Sequence, residues 1–334
     1  MTRIRFGFIG CSSIARRRMA PAISVSDFAT LQHIGSRRVE KAADFAREFH
    51  CAKWGTYEAV LADPEVDAVY ISTPPALHEQ WVRAAARHGK HILCEKPAFT
   101  NLSVAAELVK LCHRQDVRLM EAYMFGYHPQ HAVVRSLLDA GRIGGLRVVQ
   151  SEFTFPQPAA DSFRLQTALG GGVFADAAGY PVAAAMLLFQ APPVSVYCRL
   201  EMDSANKVDN LVAMTLNFSG GRTAQLLTGF GFYYRSRYAA LGTLGRLEAA
   251  RAFSVQPEMK TEIMVETKTG IETISVPPAD QCQLMMEDFC AQVTLLAEAP
   301  RLFEENLLRQ HTVMAAAWRS HLEERTVLLS EFQE

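Results

Sequence analysis

The stretch Gly10-Cys11-Ser12-Ser13-Ile14-Ala15 is the first place in this 334-residue sequence where residue types and spacing suggest chemistry. It follows the apolar run Ile4–Ile9 and precedes residues with helical spacing. A strand, tight turn and helix in that order can bring backbone N–H groups and a helix N-terminus onto a pyrophosphate. Gly10 and Ala15 fit the first and third small positions of G-x-G-x-x-G/A, and Ser12 stands where the second glycine would be. The same residues would also serve as an ordinary strand-to-helix turn. Beyond the next strand pattern, where an NAD-specific fold presents a carboxylate to the ribose, the sequence has Gly35-Ser36-Arg37-Arg38. A hydroxyl and guanidinium groups can hold a 2′-phosphate that a carboxylate would repel, so Ser36, Arg37 and Arg38 predict NADP(H); the plain alternative is a solvated charged turn. Arg16, Arg17 and Arg18 fall in the first helical turn, where the helix dipole disfavours cations, and so call for an anion or for water.

Three further segments fall at the carboxyl ends of successive strand patterns, the edge where open α/β sheets bind ligands. They are Ser72-Thr73-Pro74-Pro75-Ala76-Leu77-His78, Cys94-Glu95-Lys96-Pro97 and Glu121-Ala122-Tyr123-Met124-Phe125. Pro97 biases Lys96 toward extended backbone, which lets a lysine project from the strand end toward a nicotinamide. Later, Gly170-Gly171-Gly172 precedes Asp176 and Tyr180, four residues apart. If helical, those two share a face, and the glycines permit close approach of a ligand. A helix in which Asp176 caps the N-terminus and Tyr180 packs in the core has the same spacing.

The elements that must position these residues change character along the chain. Strand patterns at Ile4–Ile9, Thr30–Gly35, Ala68–Ser72, His91–Cys94 and Arg118–Ala122 alternate with helical patterns at Ile14–Ile23, Val39–Phe49, Tyr57–Ala62, Ala76–His88 and Leu102–Arg114. This predicts a Rossmann-type parallel sheet over residues 1–123. Residues 124–334 begin with a helix, Pro129–Ala140, and a turn cluster at Gly141–Gly145. Strand patterns follow at Leu146–Phe155, Val194–Arg199, Asn210–Phe218, Thr223–Gly229 and Arg237–Leu241, with helices at Phe174–Phe189, Gln281–Ala297 and Glu304–His321. The second domain is therefore expected to be α+β with a large, mostly antiparallel sheet. Length agrees with two domains of about 150 residues, and 49% apolar with 21% charged residues fits a globular chain. A net charge of −1 offers no general attraction to nucleic acid or an anionic membrane. The seven cysteines form no C-x-x-C pair and predict reduced thiols in a cytoplasmic protein; Pro181–Phe189 is too short to span a bilayer.

Taken in order, these motifs resemble the Gfo/Idh/MocA oxidoreductases over essentially the whole chain. The resemblance rests on Gly10–Ala15, Ser36-Arg37-Arg38, Ser72-Thr73-Pro74-Pro75-x-x-His78, Glu95-Lys96-Pro97, Gly170-Gly171-Gly172-x-x-x-Asp176-x-x-x-Tyr180 and Gly242-Thr243-Leu244-Gly245. Within the family, Gly10–Arg18, Met124–His131 and Gly179-Tyr180-Pro181 are most similar to NADPH-dependent 3-ketoreductases of nucleotide-activated (dTDP) deoxysugars. The resemblance implies that Lys96 is the catalytic lysine, Asp176 its acidic partner and Tyr180 the acid/base. Many members carry His at that position, and Tyr is the pattern of the branch with sugar ketoreductases, glucose–fructose oxidoreductase and dimeric dihydrodiol dehydrogenase. Reducing a ketone puts negative charge on oxygen and needs a proton donor there; a phenol helped by an ammonium can be that donor.

The resemblance further implies a homodimer or homotetramer built on the C-terminal sheet. Gly10 to Ala15, Ser36 to Arg38, Ser72, Thr73, Pro74, His78, Glu95, Lys96 and Pro97 are the expected cofactor residues. Phe155, Phe163, Arg164, Gln166, Tyr234, Arg235 and Tyr238 are the expected substrate walls. His128, His131 and Glu121 lack zinc-type spacing, and no metal is expected. Two other functions suit the same motifs: an NADP-dependent dehydrogenase of a free sugar, polyol or dihydrodiol, and a non-catalytic NADP-sensing regulator.

Overall fold

The computed structural model describes residues 3–295 and 300–332. Strands β1 (Ile4–Ile9), β2 (Ala29–Gly35), β3 (Lys53–Gly55), β4 (Ala68–Ile71), β5 (His91–Cys94) and β6 (Leu119–Glu121) form one sheet in the order β3-β2-β1-β4-β5-β6. Every neighbouring pair is parallel. Parallel strands need helical crossovers that cover both faces, which is why β4 is buried throughout and β1 nearly so. The crossovers are a π-wound turn, Ala15–Met19, running into α1 (Ala20–Val25), then α2 (Val39–Glu48), α3 (Tyr57–Ala62), α4 (His78–Arg87) and α5 (Leu102–Arg114). Strand order reverses between β1 and β4, so the binding edge of this sheet is the carboxyl end of those two strands.

After α6 (Pro129–Asp139) comes a nine-stranded sheet. Its strands are β7 (Leu146–Phe155), β8 (Ser195–Met202), β9 (Asp209–Phe218), β10 (Arg222–Phe230), β11 (Arg235–Gly242), β12 (Gly245–Ala249), β13 (Thr261–Thr267), β14 (Gly270–Val276) and β15 (Val327–Leu328). The order is β14-β13-β12-β11-β7-β10-β9-β8-β15, antiparallel except for the β7–β10 pair. The fold class read from the sequence is thus the observed one, while β3 and β12 to β15 had no strand signal strong enough to be expected. Alternation sets the two faces of β7: Val149, Ser151 and Phe153 are buried, whereas Gln150 and Glu152 between them are only half-buried. The inner face packs on α7 (Gly179–Phe189), whose small Ala184 and Ala185 are buried with Val182 and Leu188. The helical run Thr167–Phe189 has the length and hydropathy of a membrane span, but 67% of its apolar window is buried within the fold, as in a core helix.

The chain divides into two compact units, Met1–Met124 with Cys282–Leu308, and Phe125–Gln281 with Arg309–Glu334. The segment Cys282–Leu308, expected in the second domain, packs with the first unit. The helices here are α8 (Gln281–Thr294) and α9 (Leu302–Glu323); the last two positions of the expected helix Gln281–Ala297 lie outside the described residues. Phe289 is fully buried with its ring 5.9 Å from that of Phe6 on β1. Ser26 donates to Glu287 (3.0 Å), and the Leu119 N–H donates to the buried Glu304 (3.1 Å). These hydrogen bonds join residues 261 and 185 positions apart, which local patterns do not record. Phe289→Ala should therefore lower the stability of the first unit by about 3–5 kcal/mol, the usual cost of emptying a buried ring site, as read by denaturant unfolding.

Candidate active site

In the first unit, β1 delivers the chain to Gly10 at φ +116°, where a Cβ would lie 3.2 Å from the Ser72 carbonyl carbon. The Gly10 N–H donates to the Gly35 carbonyl (3.2 Å), and the Ser72 hydroxyl donates to the Gly10 carbonyl (3.1 Å). The Cys11 thiol lies 3.7 Å from the same Gly35 carbonyl, and burial pushes that thiol's pKa up. Ser12, in the place of the motif's second glycine, adds a hydrogen bond: its Oγ accepts the Ala15 N–H (3.1 Å) as an N-cap, with Ser13 and Ile14 between them. Ser36 is buried and its Oγ accepts the Arg38 N–H (3.2 Å), leaving Arg37 and Arg38 exposed just past β2. Arg16 finds its anion within the protein, at Glu48 (2.7 Å).

Thr73, two residues past β4, has a buried Oγ1 with no hydrogen-bond partner among the described residues. An orphaned buried hydroxyl beside a left-handed glycine turn is what a dinucleotide would satisfy, and these residues fit one. Pro74 follows, half-buried. His78 does not line that surface: it is 1% exposed and ties two loops, with Nδ1 2.9 Å from the Pro97 carbonyl and Nε2 2.8 Å from the Thr73 carbonyl. Burial pushes its pKa down, and Lys96 adds to that against Glu121. Glu95 is buried and accepts the Tyr70 hydroxyl (2.6 Å); burial together with Glu95 raises the Tyr70 phenol well above its ordinary range. Glu121 accepts the Ala98 N–H (2.8 Å). The Lys96–Pro97 peptide bond is cis, and Lys96 stands half-buried at the end of β5. Gly10, Thr73 and Lys96 thus occupy the carboxyl ends of three adjacent strands.

In the second unit two of the three glycines have steric reasons, and Gly170 adopts φ +78°. Gly171 sits where a Cβ would be 2.7 Å from the carbonyl oxygens of Phe163 and Arg164, and Gly172 adopts φ +110° with a Cβ position 2.2 Å from an Asp209 oxygen. The chain then winds as a π turn, Phe174–Ala178, into α7. Such turns recur at functional sites. Asp176 is not the cap of this helix: its carboxylate accepts Nε of Arg164 (2.7 Å) and is 8% exposed. The capping carboxylate is Asp209 of β9, which accepts the Phe174 N–H. Tyr180 is half-buried among the rings of Phe153 (5.0 Å), Phe125 (5.7 Å) and Phe253 (5.8 Å). From Phe153 the rings continue to Phe155 (4.4 Å) and Tyr234 (5.9 Å), and the Arg251 guanidinium lies 5.3 Å over Tyr234. Arg251 is exposed and has no carboxylate partner among the described residues. Arg251, Phe253 and Asp209 belong to no motif and were not visible in the sequence.

Two expected wall residues are corrected. Tyr238 is fully buried and donates its hydroxyl to Nδ1 of His131 (2.9 Å), because Nε2 of that ring must donate to the Ala252 carbonyl (3.1 Å). Arg235 pairs with Glu152 (3.1 Å), which alternation places on the sheet face opposite Phe153 and Tyr180. Gln166 is exposed and bonds back to the Asp161 carbonyl, while Phe163 lies under its neighbour Arg164 (4.9 Å). On that opposite face, Glu152, Tyr197, Arg199, Thr215, Leu227 and Arg237 line a depression of about 470 Å³. Among the described residues, no three His, Cys, Asp or Glu side chains group to hold a metal ion.

Residues 4–123 match the family model of the oxidoreductase family with an NAD-binding Rossmann fold, and residues 131–248 match the GFO/IDH/MocA C-terminal domain. The chain belongs to the GFO/IDH/MocA oxidoreductase family. It is 35% identical over 290 residues, 87% of each chain, to a dTDP-3,4-didehydro-2,6-dideoxy-alpha-D-glucose 3-reductase of Saccharopolyspora spinosa. It is 34% identical to a D-xylose 1-dehydrogenase (NADP(+)) of Haloferax volcanii, covering 94% of this chain and 96% of that one. The crystal structure of KijD10, a 3-ketoreductase from Actinomadura kijaniata in complex with NADP and TDP-benzene, is similar with a TM-score of 0.92 at 34% identity, over 96% of this chain and 98% of that one.

The buried Tyr238 hydroxyl serves packing rather than the site. Tyr238→Phe leaves the His131 Nδ1 acceptor buried without its donor and should cost about 1–3 kcal/mol of stability, seen in denaturant unfolding, while kcat and KM stay within about twofold of wild type.

Proposed function

We propose that this protein reduces the C3 ketone of a dTDP-linked 3-keto-deoxysugar with NADPH. The relatives above support the class of substrate, and one observation in the second unit carries the reading. A run of aromatic rings leads from Tyr180 through Phe153, Phe155 and Tyr234 to an exposed arginine with no carboxylate partner among the described residues. A sugar at the phenol and a diphosphate at Arg251 suit those two ends, since guanidinium binds phosphate oxygens through charge-assisted hydrogen bonds. A free sugar would leave Arg251 without a role.

When bound, NADPH supplies the hydride. Gly10 to Ala15, with backbone N–H groups at a capped helix start, are assigned its pyrophosphate; Ser36, Arg37 and Arg38 its 2′-phosphate; and Thr73 a hydrogen bond through its orphaned hydroxyl. Lys96 is assigned the positive charge that favours the oxyanion formed on reduction, and Tyr180 the proton delivered to it. The phenylalanines around Tyr180 pack against its ring on several sides and restrict its rotation. Asp176, held by Arg164, keeps its carboxylate one helical turn from the phenol's backbone. The seven buried thiols, joined in no disulfide, suit a reducing, cytoplasmic setting. The outer face of the nine-stranded sheet, with Tyr197 and Leu227 exposed, is assigned to a second copy of the chain.

The test is NADPH oxidation with a dTDP-3-keto-6-deoxyhexose made in situ, beside free sugars and dihydrodiols with NADP. Wild type should oxidise NADPH only with the nucleotide sugar, and Tyr180→Phe should lower kcat by about 100-fold or more with NADPH affinity unchanged, the usual scale of a lost general acid. Turnover confined to the free compounds would replace this reading with that of a dehydrogenase. Arg251→Met should raise KM for the nucleotide sugar roughly 10- to 100-fold, the loss of one or two charge-assisted bonds, and weaken competitive inhibition by TDP in parallel.

A further inference from the structure

The helix that carries Asp176 and Tyr180 begins against a buried carboxylate from a different part of the chain. Asp209, the first residue of β9, is 7% exposed. Its Oδ2 accepts the Phe174 N–H, and the Val173 N–H and its own N–H also stabilise the carboxylate. The fit is close: Gly172 approaches so near that a Cβ there would lie 2.2 Å from Oδ1. The Gly172 carbonyl in turn accepts the Asp176 N–H (3.1 Å). One carboxylate therefore holds the residues on which the first π-wound turn is built, just ahead of Asp176 and a further turn from Tyr180.

We propose that Asp209 is a positioning residue of the reductase: its ionised carboxylate fixes the start of the helix and so the directions of Asp176 and Tyr180. This rests on the roles proposed above for those two side chains. A buried carboxylate is costly to ionise, and a helix of this length could be capped by an exposed Ser or Asp at no such cost. What the buried cap adds is a tie between the helix and the sheet: Asp209 pairs with Met202 of β8, and from Leu211 onward β9 is hydrogen-bonded on both sides, to β8 and β10. An orientation held from the start of an interior strand is reproducible in a way that a solvent-exposed loop cap is not.

The charge state is adjustable. Burial pushes the Asp209 pKa up to about 6, against the backbone N–H groups that pull it down. Its register partner on β8 is the uncharged Met202, and the titratable side chain of β8 that senses its charge is Cys198, a thiol itself raised to about 12 and hence neutral. On the segments packed against it, Arg164 and Asp176 are paired with each other, and Lys207, two residues earlier on its own chain, is exposed. Below pH about 6 a proton occupies Asp209 and the cap weakens. Ionisation, and with it a firm helix start, is complete well above that pH.

The experiment compares wild type with Asp209→Asn over roughly pH 5–9, on either side of the Asp209 pKa of about 6, on whichever substrate wild type turns over. The Asp209→Asn variant should lower kcat on the alkaline side by about tenfold or more with KM for NADPH unchanged, and its kcat should no longer fall as pH drops through about 6, because an amide does not titrate. A merely structural cap would leave that acidic limb in place. Wild-type kcat in Asp209→Asn, or an unchanged acidic limb, overturns the proposal. Gly172→Ala, which keeps the carboxylate but crowds it, should show the same loss of kcat with intact NADPH binding. Hydrogen exchange over residues 172–180 gives a readout independent of turnover: Asp209→Asn should accelerate it by about tenfold or more, and unchanged exchange overturns the proposal. Absence of any wild-type turnover counts against the proposed function, while the exchange result still decides the role of Asp209.

Discussion

The ring of Tyr180 is held by three phenylalanines, Phe125, Phe153 and Phe253, that come from a loop after β6, from the central strand β7 and from the chain beyond β12. Aromatic rings in tilted contact at these distances pack firmly and leave little freedom of rotation. Each phenylalanine then needs its own backbone fixed. For Phe253 this is done by polar side chains turned inward: Gln130 and Gln281 donate to the carbonyls of Arg251 and Phe253, His131 to that of Ala252, and Ser236 accepts the Phe253 N–H. The buried His131 ring is driven to about 3 by desolvation, so it stays neutral and keeps one hydrogen-bond arrangement.

The two units solve the same problem with the same local device. Each has a π-wound turn of five residues where its functional segment enters a helix, Ala15–Met19 after the glycine loop and Phe174–Ala178 around Asp176. Each turn is fixed by a side-chain oxygen on backbone N–H groups: Ser12 from the neighbouring residues in one case, Asp209 from a distant strand in the other. The glycines beside them follow from crowding rather than flexibility. At Gly10 and Gly172 both a left-handed φ and a nearby oxygen or carbonyl exclude a side chain.

Tyr238, Arg235 and His78 are kept from the site by one cause. Each is a polar residue in or beside a segment expected at the site, and each is engaged elsewhere: Tyr238 by His131, Arg235 by Glu152 across the sheet, His78 by two loop carbonyls. Arg251 shows the converse. Nothing in its local sequence distinguishes it from the other arginines of the second unit, and its interest arises because no described carboxylate pairs with it and a tyrosine ring lies beneath it.

The sequence by itself determined the alternating strands and helices of the first unit, the glycine turn, the order of the Thr73, Lys96 and Tyr180 segments, and the family to which they point. These depend on periodicity and on residues within a few positions of one another, which a linear reading contains. The tertiary structure alone decided that Cys282–Leu308 completes the first unit, that Asp209 rather than Asp176 caps the helix of Tyr180, and which face of β7 looks toward the phenol. Those outcomes are set by contacts between residues far apart in the chain, and by a two-residue alternation whose sense is fixed only once the sheet has a core to face.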